Sequence, residues 1–450
     1  MESSEFRKIP KIDDLLALPA LDGLPRPLAK MIINQVLDET RRIGKVDVDQ
    51  INREISEQAA VYGVPYVRRA VNGLGVILHT GIGRAPLSHA AKDIYNAMTG
   101  FATLQIDLDT GRRGDRYKRL DDLLREITGC EASVVVNNNA AATMLILNTF
   151  AQGKEVIVSR GQLVEIGGQF RIPDVMKRSG ARLVEVGATN RTHLKDYADA
   201  ITEDTAALMR VHMSNYRIIG FTKEVLLEDL VKLGHDNNLL VIDDLGSGCL
   251  LDLRQFNLPY EPFVQESIKA GADLICFSGD KLLSGPQCGI ILGRKDLIDR
   301  IKKNPLTRAF RSCKFTFIAL EQTLRLFLDP ETLMQRHPVF RIMSLKPNEI
   351  KKRARRVSKK INEEFKGHLN SSVIETKAEI GGGSLAGYEL PSYAVAIKPP
   401  IKPDDFARKM RKQSVPVIGR VEGGQYLLDF RTILPKEEKY IFGALRGVLA

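Results

Sequence analysis

The stretch DLICFSGDKLLSGPQCGIILG, residues 273–293, decides the fold of this 450-residue chain. An apolar run, LICF, ends at Ser278-Gly279-Asp280-Lys281, a loop with Gly285 and Pro286 follows, and a second apolar run, GIILG, closes the stretch. Runs this short, rich in Leu and Ile and bounded by Gly or Asp, have the length of buried strands rather than helices. The pattern recurs upstream at SVVVN (133–137), KEVIVS (154–159), ARLVEVG (181–187), TAALMRV (205–211) and NLLVID (238–243). Amphipathic segments such as TKEVLLEDLVKLGHDN (222–237) and EPFVQESIKAGAD (261–273) lie between them and predict helices. Apolar strands alternating with helices imply an α/β domain with a largely parallel sheet covered on both faces. Lys281 then stands at a strand end between apolar segments. Burial lowers the pKa of a lysine and frees a neutral amine, which suits a Schiff-base lysine; a surface loop lysine is the other reading of this motif.

Two features upstream bear on that choice. In LLVIDDLGSGCL, Asp243 and Asp244 fall where the apolar strand ends, at the edge where open α/β sheets bind ligands. A carboxylate there either caps the next turn or holds a pyridine nitrogen protonated. In ASVVVNNNAAATMLILN, a strand runs through three asparagines into an alanine-rich helix start, where small residues let a phosphate reach free backbone N–H groups. Neither GxxxxGK[ST] nor GxGxxG occurs, so a Walker loop and a dinucleotide fingerprint are excluded. An anion cradle, a strand-end Asp and a strand-end Lys, in that chain order, is the arrangement expected of aspartate-aminotransferase-type pyridoxal-phosphate enzymes.

Around this α/β region the chain divides into three, at residues 1–66, 67–325 and 326–450. The first part reads as two helices, PLAKMIINQVLDETRRIG closing at Gly44, and DVDQINREISEQAAVYG with Asp47 or Asp49 as N-cap and Gly63 as terminator. The last part holds a basic helix, a strand at YAVAIK (393–398), a helix within 399–413, and paired strands in VPVIGRVEGGQYLLDFRTI with a hairpin turn at EGGQ. The net charge is +11, and residues 294–366 carry 20 Lys plus Arg against 8 Asp plus Glu, so the whole excess sits in one segment. Its densest run, KKRARRVSKK (351–360), is either a solvated helix face or a footprint for a polyanion. Residues 1–66, with 9 basic and 11 acidic side chains, show no such excess. Five cysteines without a C-x-x-C pair, no apolar run long enough for a bilayer and no secretory leader predict a cytoplasmic protein without disulfides.

The chain resembles the bacterial L-seryl-tRNA(Sec) selenium transferases, the selenocysteine synthases. The resemblance rests on VNGLGVILHTGIGRAPLS, NNNAAA, SRGQLVEIGGQFRIPDVMKRSGARLVEVGATNRTH, RVHMSNYRIIGF, IDDLGSG, SGDKLLSGPQCGIILG, LTRAFR, GGGSLAGYELPSYAV and VIGRVEGGQYLLDFRT, in order from about residue 66 to 435. It implies a fold-type-I large domain with a mostly parallel sheet, a small α+β C-terminal domain and a helical, tRNA-binding N-terminal domain. By the same resemblance, pyridoxal 5′-phosphate forms a covalent aldimine on Lys281. Asp244, which falls on the D-L-G-S pattern, faces the pyridine nitrogen, and Ser278 with the backbone at Asn139 and Ala140 holds the phosphate. Arg84, Arg308 and Arg311 match arginines that would hold the phosphate of selenophosphate. The implied reaction converts seryl-tRNA(Sec) to selenocysteinyl-tRNA(Sec) through an aminoacrylyl-tRNA, in a homo-oligomeric ring of dimers that needs neither membrane nor DNA. A pyridoxal-dependent lyase or transferase of a small amino acid or amino sugar phosphate is the alternative. Four positions depart from the family pattern: Gly81, Ala188, Ser284 and Cys288.

Overall fold

The computed structural model describes residues 8–88, 94–167 and 170–449, so Gly168 and Gln169 of the long family block lie outside the described residues. The chain divides into two units, one of Met1–Val71, Asp405–Ile418 and Lys439–Ala450, the other of Asn72–Asp404 and Gly419–Glu438.

In the first unit, helix α1 (Arg26–Ile43) opens with a proline in its first turn and stops at Gly44, whose φ of +75° a side chain would resist. Helix α2 (Val48–Tyr62) is capped by Asp47, which accepts from the N–H groups of Asp49 and Gln50. Ile32, Ile33, Val36 and Leu37 of α1 are buried with Ile51, Ile55 and Ala59 of α2, and Leu15 and Leu21 complete this core. All of its buried members lie between residues 15 and 59.

The second unit is built on a seven-stranded sheet: β1 (Ala132–Val136), β2 (Glu155–Ser159), β3 (Arg182–Val186), β4 (Thr205–Val211), β5 (Leu240–Gly246), β6 (Leu274–Ser278) and β7 (Gly289–Gly293). The order across the sheet is β1-β7-β6-β5-β4-β2-β3. β2 to β6 pair in parallel, whereas β7 is antiparallel to both β6 and β1. Chain length explains the exception. Ten residues, 279–288, separate β6 from β7, too few for the crossover a parallel pairing needs. Two reversals in succession leave β1 parallel to β6, so β1, β5 and β6 end on the same sheet edge.

Helix α3 (Asn139–Phe150) follows β1 at that edge, and α4 (Leu227–Asp236) and α5 (Val264–Ala270) precede β5 and β6. Both latter helices start later than the periodicity predicts. Lys223 is engaged in a parallel bridge with Arg191, and Pro262 lies just ahead of α5. Downstream, β8 (Asn370–Glu379), β9 (Glu389–Lys398), β10 (Arg420–Glu422) and β11 (Gln425–Asp429) form an antiparallel sheet in the order β8-β9-β11-β10. Gly423 and Gly424, both with positive φ, make the expected hairpin turn between β10 and β11. The basic run lies on α6 (Pro347–Glu364), which buries Ile350, Ala354, Val357 and Ile361. Part of its charge is structural: Arg353 and Arg356 both pair with Glu438, and Arg353 also donates to the carbonyl of Ile433. No helix among the described residues is long and apolar enough to cross a membrane.

Candidate active site

Strand β5 is buried along most of its length, and Asp244 sits near its C-terminal end. Three donors reach its carboxylate. Asn139 Nδ2 donates to Oδ1 at 2.8 Å, Thr143 Oγ1 to Oδ2 at 2.9 Å, and the Gly246 N–H to Oδ1 at 3.1 Å. Asn139 and Thr143 are one turn apart on α3, so the helix after β1 grips the acid of β5. Burial pushes the Asp244 carboxyl up, against the pull of the Asn139 and Thr143 hydrogen bonds. Among the described residues it forms no ion pair. Asp243, the other acid of the pair, points elsewhere: Arg210 grips it with two 2.7 Å bonds and Ser267 donates to it. The strand-end position left both acids open, the resemblance pointed to Asp244, and the two carboxylates have different partners.

Lys281 is 4% exposed, just past the end of β6. Burial lowers its pKa, helped by the positive charge of Arg84, while Asp280, Asp244 and Glu261 act the other way. Arg84, with φ +61°, donates to Asp280 Oδ2 at 2.6 Å, so it attaches to the residue beside the lysine. The loop after Lys281 is braced by His337, which accepts the Phe340 N–H on Nδ1 and lies 3.0 Å from the Leu283 carbonyl through Nε2. Burial lowers the His337 pKa to about 3, so the ring is neutral and donates to Leu283. Two family departures are placed here. The Ser284 hydroxyl donates to the Pro86 carbonyl at 2.6 Å, and Cys288 is buried with its thiol pKa pushed up.

At the N-terminus of α3, Asn138 caps the helix by accepting the Ala141 N–H at 2.8 Å. Ala140 lines a cavity of about 500 Å3 with Asn137, Asn138, Met144, Arg171 and Arg178. A Cβ at Gly289 would stand 2.1 Å from the Asn138 carbonyl oxygen, so glycine is what lets β7 run so close beneath this turn. Ser278 is buried at the end of β6, paired with that same Gly289.

The three arginines of the sequence reading have different neighbours. Arg311 joins the end of β1 by a bridge to Val136, and the Asn137 N–H donates to the carbonyl of Phe310. Burial and the charges of Arg311, Arg113 and Arg308 hold the Arg116 pKa below its usual value. Arg116 Nε and Nη1 are buried without a hydrogen-bond acceptor among the described residues. Arg308 and Arg311 are thus gathered with Arg113 and Arg116, whereas Arg84 belongs to Asp280.

Sequence reasoning missed Thr143, His212, Ser214, Glu261 and Gly383. Thr143 had one available signal, its place four residues after Asn139. The others are joined by chain reversals that no local pattern reports. A Cβ at Gly383 would stand 3.5 Å from Lys281 Nζ and 3.4 Å from Ser214 Oγ, so the glycine-rich loop after β8 passes beside the lysine.

Comparisons with known proteins agree with this architecture. Residues 70–434 match the family model for L-seryl-tRNA selenium transferase, and residues 6–41 match that for the selenocysteine synthase N terminal region. The L-seryl-tRNA(Sec) selenium transferase of Desulfomicrobium baculatum is 46% identical, covering 100% of both chains. That of Desulfotalea psychrophila is 46% identical over 96% of this chain and 95% of its own. The solved structure of D-glucosaminate-6-phosphate ammonia-lyase shares the fold, with a TM-score of 0.57 at 20% identity over 85% of this chain and 95% of that one. With its family model spanning residues 70–434 and relatives of this identity along its whole length, the chain belongs to the L-seryl-tRNA(Sec) selenium transferase family.

Proposed function

We propose that this chain converts L-seryl-tRNA(Sec) to L-selenocysteinyl-tRNA(Sec), with pyridoxal 5′-phosphate on Lys281 and selenophosphate as selenium donor. The observation that carries the reading is the grip of Asn139 and Thr143 on Asp244, beside a lysine that is 4% exposed at the end of the neighbouring strand. The residues fit the cofactor. Asp244 is a buried carboxylate in need of a cation, and a protonated pyridine nitrogen is one. The lowered pKa of Lys281 makes its amine available for a Schiff base. The first N–H groups of α3, at Asn139 and Ala140, with Ser278, suit the phosphate. Bound there, pyridoxal phosphate supplies an electron sink for charge developing at the α-carbon of the seryl group.

The side chains then divide the work. Asp244, its carboxylate held by three donors, would face the pyridine nitrogen and keep the ring electron-poor. Lys281 takes the α-proton and returns it, the task for which a lysine of lowered pKa is suited. Asp280 and Arg84, paired at 2.6 Å, fix the lysine loop, and Arg84 keeps positive charge beside it. Arg308 and Arg311 hold the donor's phosphate, and the buried nitrogens of Arg116 with no acceptor are consistent with an anion there. The serine hydroxyl leaves the β-carbon as water, selenium takes its place there, and water takes up the donor's phosphoryl group as phosphate, so the overall exchange balances. Domain limits at 1–66, 67–325 and 326–450 assign the tRNA to the helical N-terminal part. A cytoplasmic ring of dimers is the assembly this reading expects. A lyase acting on a small amino sugar phosphate has behind it the fold likeness alone.

The test is incubation of the purified protein with seryl-tRNA(Sec), pyridoxal phosphate and selenophosphate, followed by analysis of the amino acid on the tRNA. Selenocysteine is expected; serine left unchanged would overturn the reading.

A further inference from the structure

Glu261 has no part in the chemistry above, yet its carboxylate is buried, 3% exposed, in the segment just ahead of α5. A buried carboxylate is costly unless something is gained by it. Oε2 accepts the N–H of Leu385 at 3.2 Å, across 124 residues of chain. Oε1 has no hydrogen-bond donor among the described residues, and His212 Nε2 lies 3.3 Å from it. Leu385 belongs to the loop between β8 and β9, whose backbone is unusual. Gly381, Gly382, Gly383 and Gly387 all have positive φ, and so does Leu385 at +50°, where a branched side chain is strained. The loop is anchored at its start by the Leu78 N–H to the Ile380 carbonyl at 2.8 Å. From 381 to 387, the Glu261 bond is the one hydrogen bond among the described residues that reaches outside the loop. It fastens the segment that brings Gly383 beside Lys281 and Ser214.

We propose that Glu261 is a positioning residue of the transferase reaction, latching the 381–387 loop over Lys281 through the Leu385 N–H. The proposal rests on Lys281 as the reactive lysine. The latch gives a physical reason for the strained backbone: a left-handed Leu385 holds its N–H toward the carboxylate, and the glycines leave space over the amine. Behind the latch, Glu261, His212, Leu385 and Tyr388 line a cavity of about 370 Å3. Its charge also bears on Lys281, which faces Arg84, Asp280, Asp244 and Glu261.

Amide hydrogen exchange of the full-length, cofactor-loaded protein tests this without turnover. In Glu261→Ala, exchange at Leu385 is expected to rise roughly 10- to 100-fold, the equivalent of one hydrogen bond to a charged group, with β9 unchanged. Glu261→Gln keeps an acceptor at the same reach and should restore protection and most of kcat, whereas a merely structural carboxylate would not be rescued this way. Glu261→Asp withdraws the acceptor and should behave like alanine, which covers the case in which alanine does not fold. Unchanged exchange in Glu261→Ala and Glu261→Asp would overturn the latch. So would a glutamine variant that keeps protection but loses kcat as fully as alanine. Borohydride labelling of a lysine other than 281 would overturn the underlying site reading, and it is read separately from exchange.

Discussion

Thr143→Val probes the setting of Asp244 with little change of shape. The hydroxyl donates to Oδ2 at 2.9 Å from a position that is 1% exposed, and valine fills the same space without it. Asn139 and the Gly246 N–H remain as donors. A hydrogen bond to a charged group contributes about 1.5–3 kcal/mol, so the ionised carboxylate loses about that much and its raised pKa moves further up. If the carboxylate faces a ring N–H, cofactor affinity falls roughly 10- to 100-fold. The pH dependence has a definite sign. A carboxyl raised in the folded state gives stability below its unfolded pKa that is lost as pH rises through its folded pKa. Cofactor-free Thr143→Val should therefore lose more stability than wild type between acid and neutral pH. Cofactor affinity should fall in both as pH drops and Asp244 takes up a proton, beginning at higher pH in the variant. Titration with pyridoxal phosphate followed by absorbance, at several pH values and with Thr143→Ser as the control that restores the hydroxyl, measures this. Wild-type affinity and an unshifted pH profile in Thr143→Val would refute the assignment of Asp244.

Lys281→Ala should leave no lysine that borohydride fixes to the cofactor, as peptide mapping will report. Because the folded-state pKa of Lys281 is lowered, the cofactor-free wild type should gain stability as pH rises from that pKa toward the unfolded value, a slope the variant lacks in thermal melts. Removal of residues 1–66 should weaken tRNA binding far more than cofactor binding, since the buried core of α1 and α2 draws on residues 15–59 alone; equal loss of both in binding assays would count against it. Arg311→Ala should raise the selenophosphate concentration needed for half-maximal single turnover about 10- to 100-fold, with partial rescue by Arg311→Lys. If seryl-tRNA binding falls instead, these arginines serve the RNA.

The strands were legible because fully buried strands are almost entirely apolar and short, as LICFS and GIILG are. The reversed direction of β7 is invisible to periodicity and follows from the ten residues available for its connection. Asp244 and Lys281 could be read from their strand ends, and the D-L-G-S resemblance picked Asp244 over Asp243, but what holds Asp243 instead, Arg210 thirty-three residues away, left no local mark. Helix starts were read too early at Thr222 and Glu261, where backbone bridging and proline chemistry override amphipathic spacing. Arg308 and Arg311 were visible as residues, but their companions Arg113 and Arg116 come from nearly two hundred residues upstream. Glu261 and Gly383 gave no local signal, since each matters through a contact made by tertiary folding.

The place of β7 between β6 and β1 also sets a timetable for synthesis. β1 is among the first sheet strands to leave the ribosome, but its partner in the sheet lies about 150 residues later, from Val136 to Gly289. At roughly 5–20 residues per second, β1 and the first turn of α3 wait on the order of 10–30 s before that partner is made. During this interval a fully buried, Val-rich strand is unpaired, a situation that invites chaperone capture. The turn after β1 takes its final form only once Gly289 lies beneath Asn138 and the Asn137 N–H bonds to Phe310. A nascent chain halted between residues 281 and 289 therefore holds Lys281 and Asp244 but lacks the glycine that the proposed phosphate seat needs, and on that reading cofactor capture becomes a late event that reports a finished sheet.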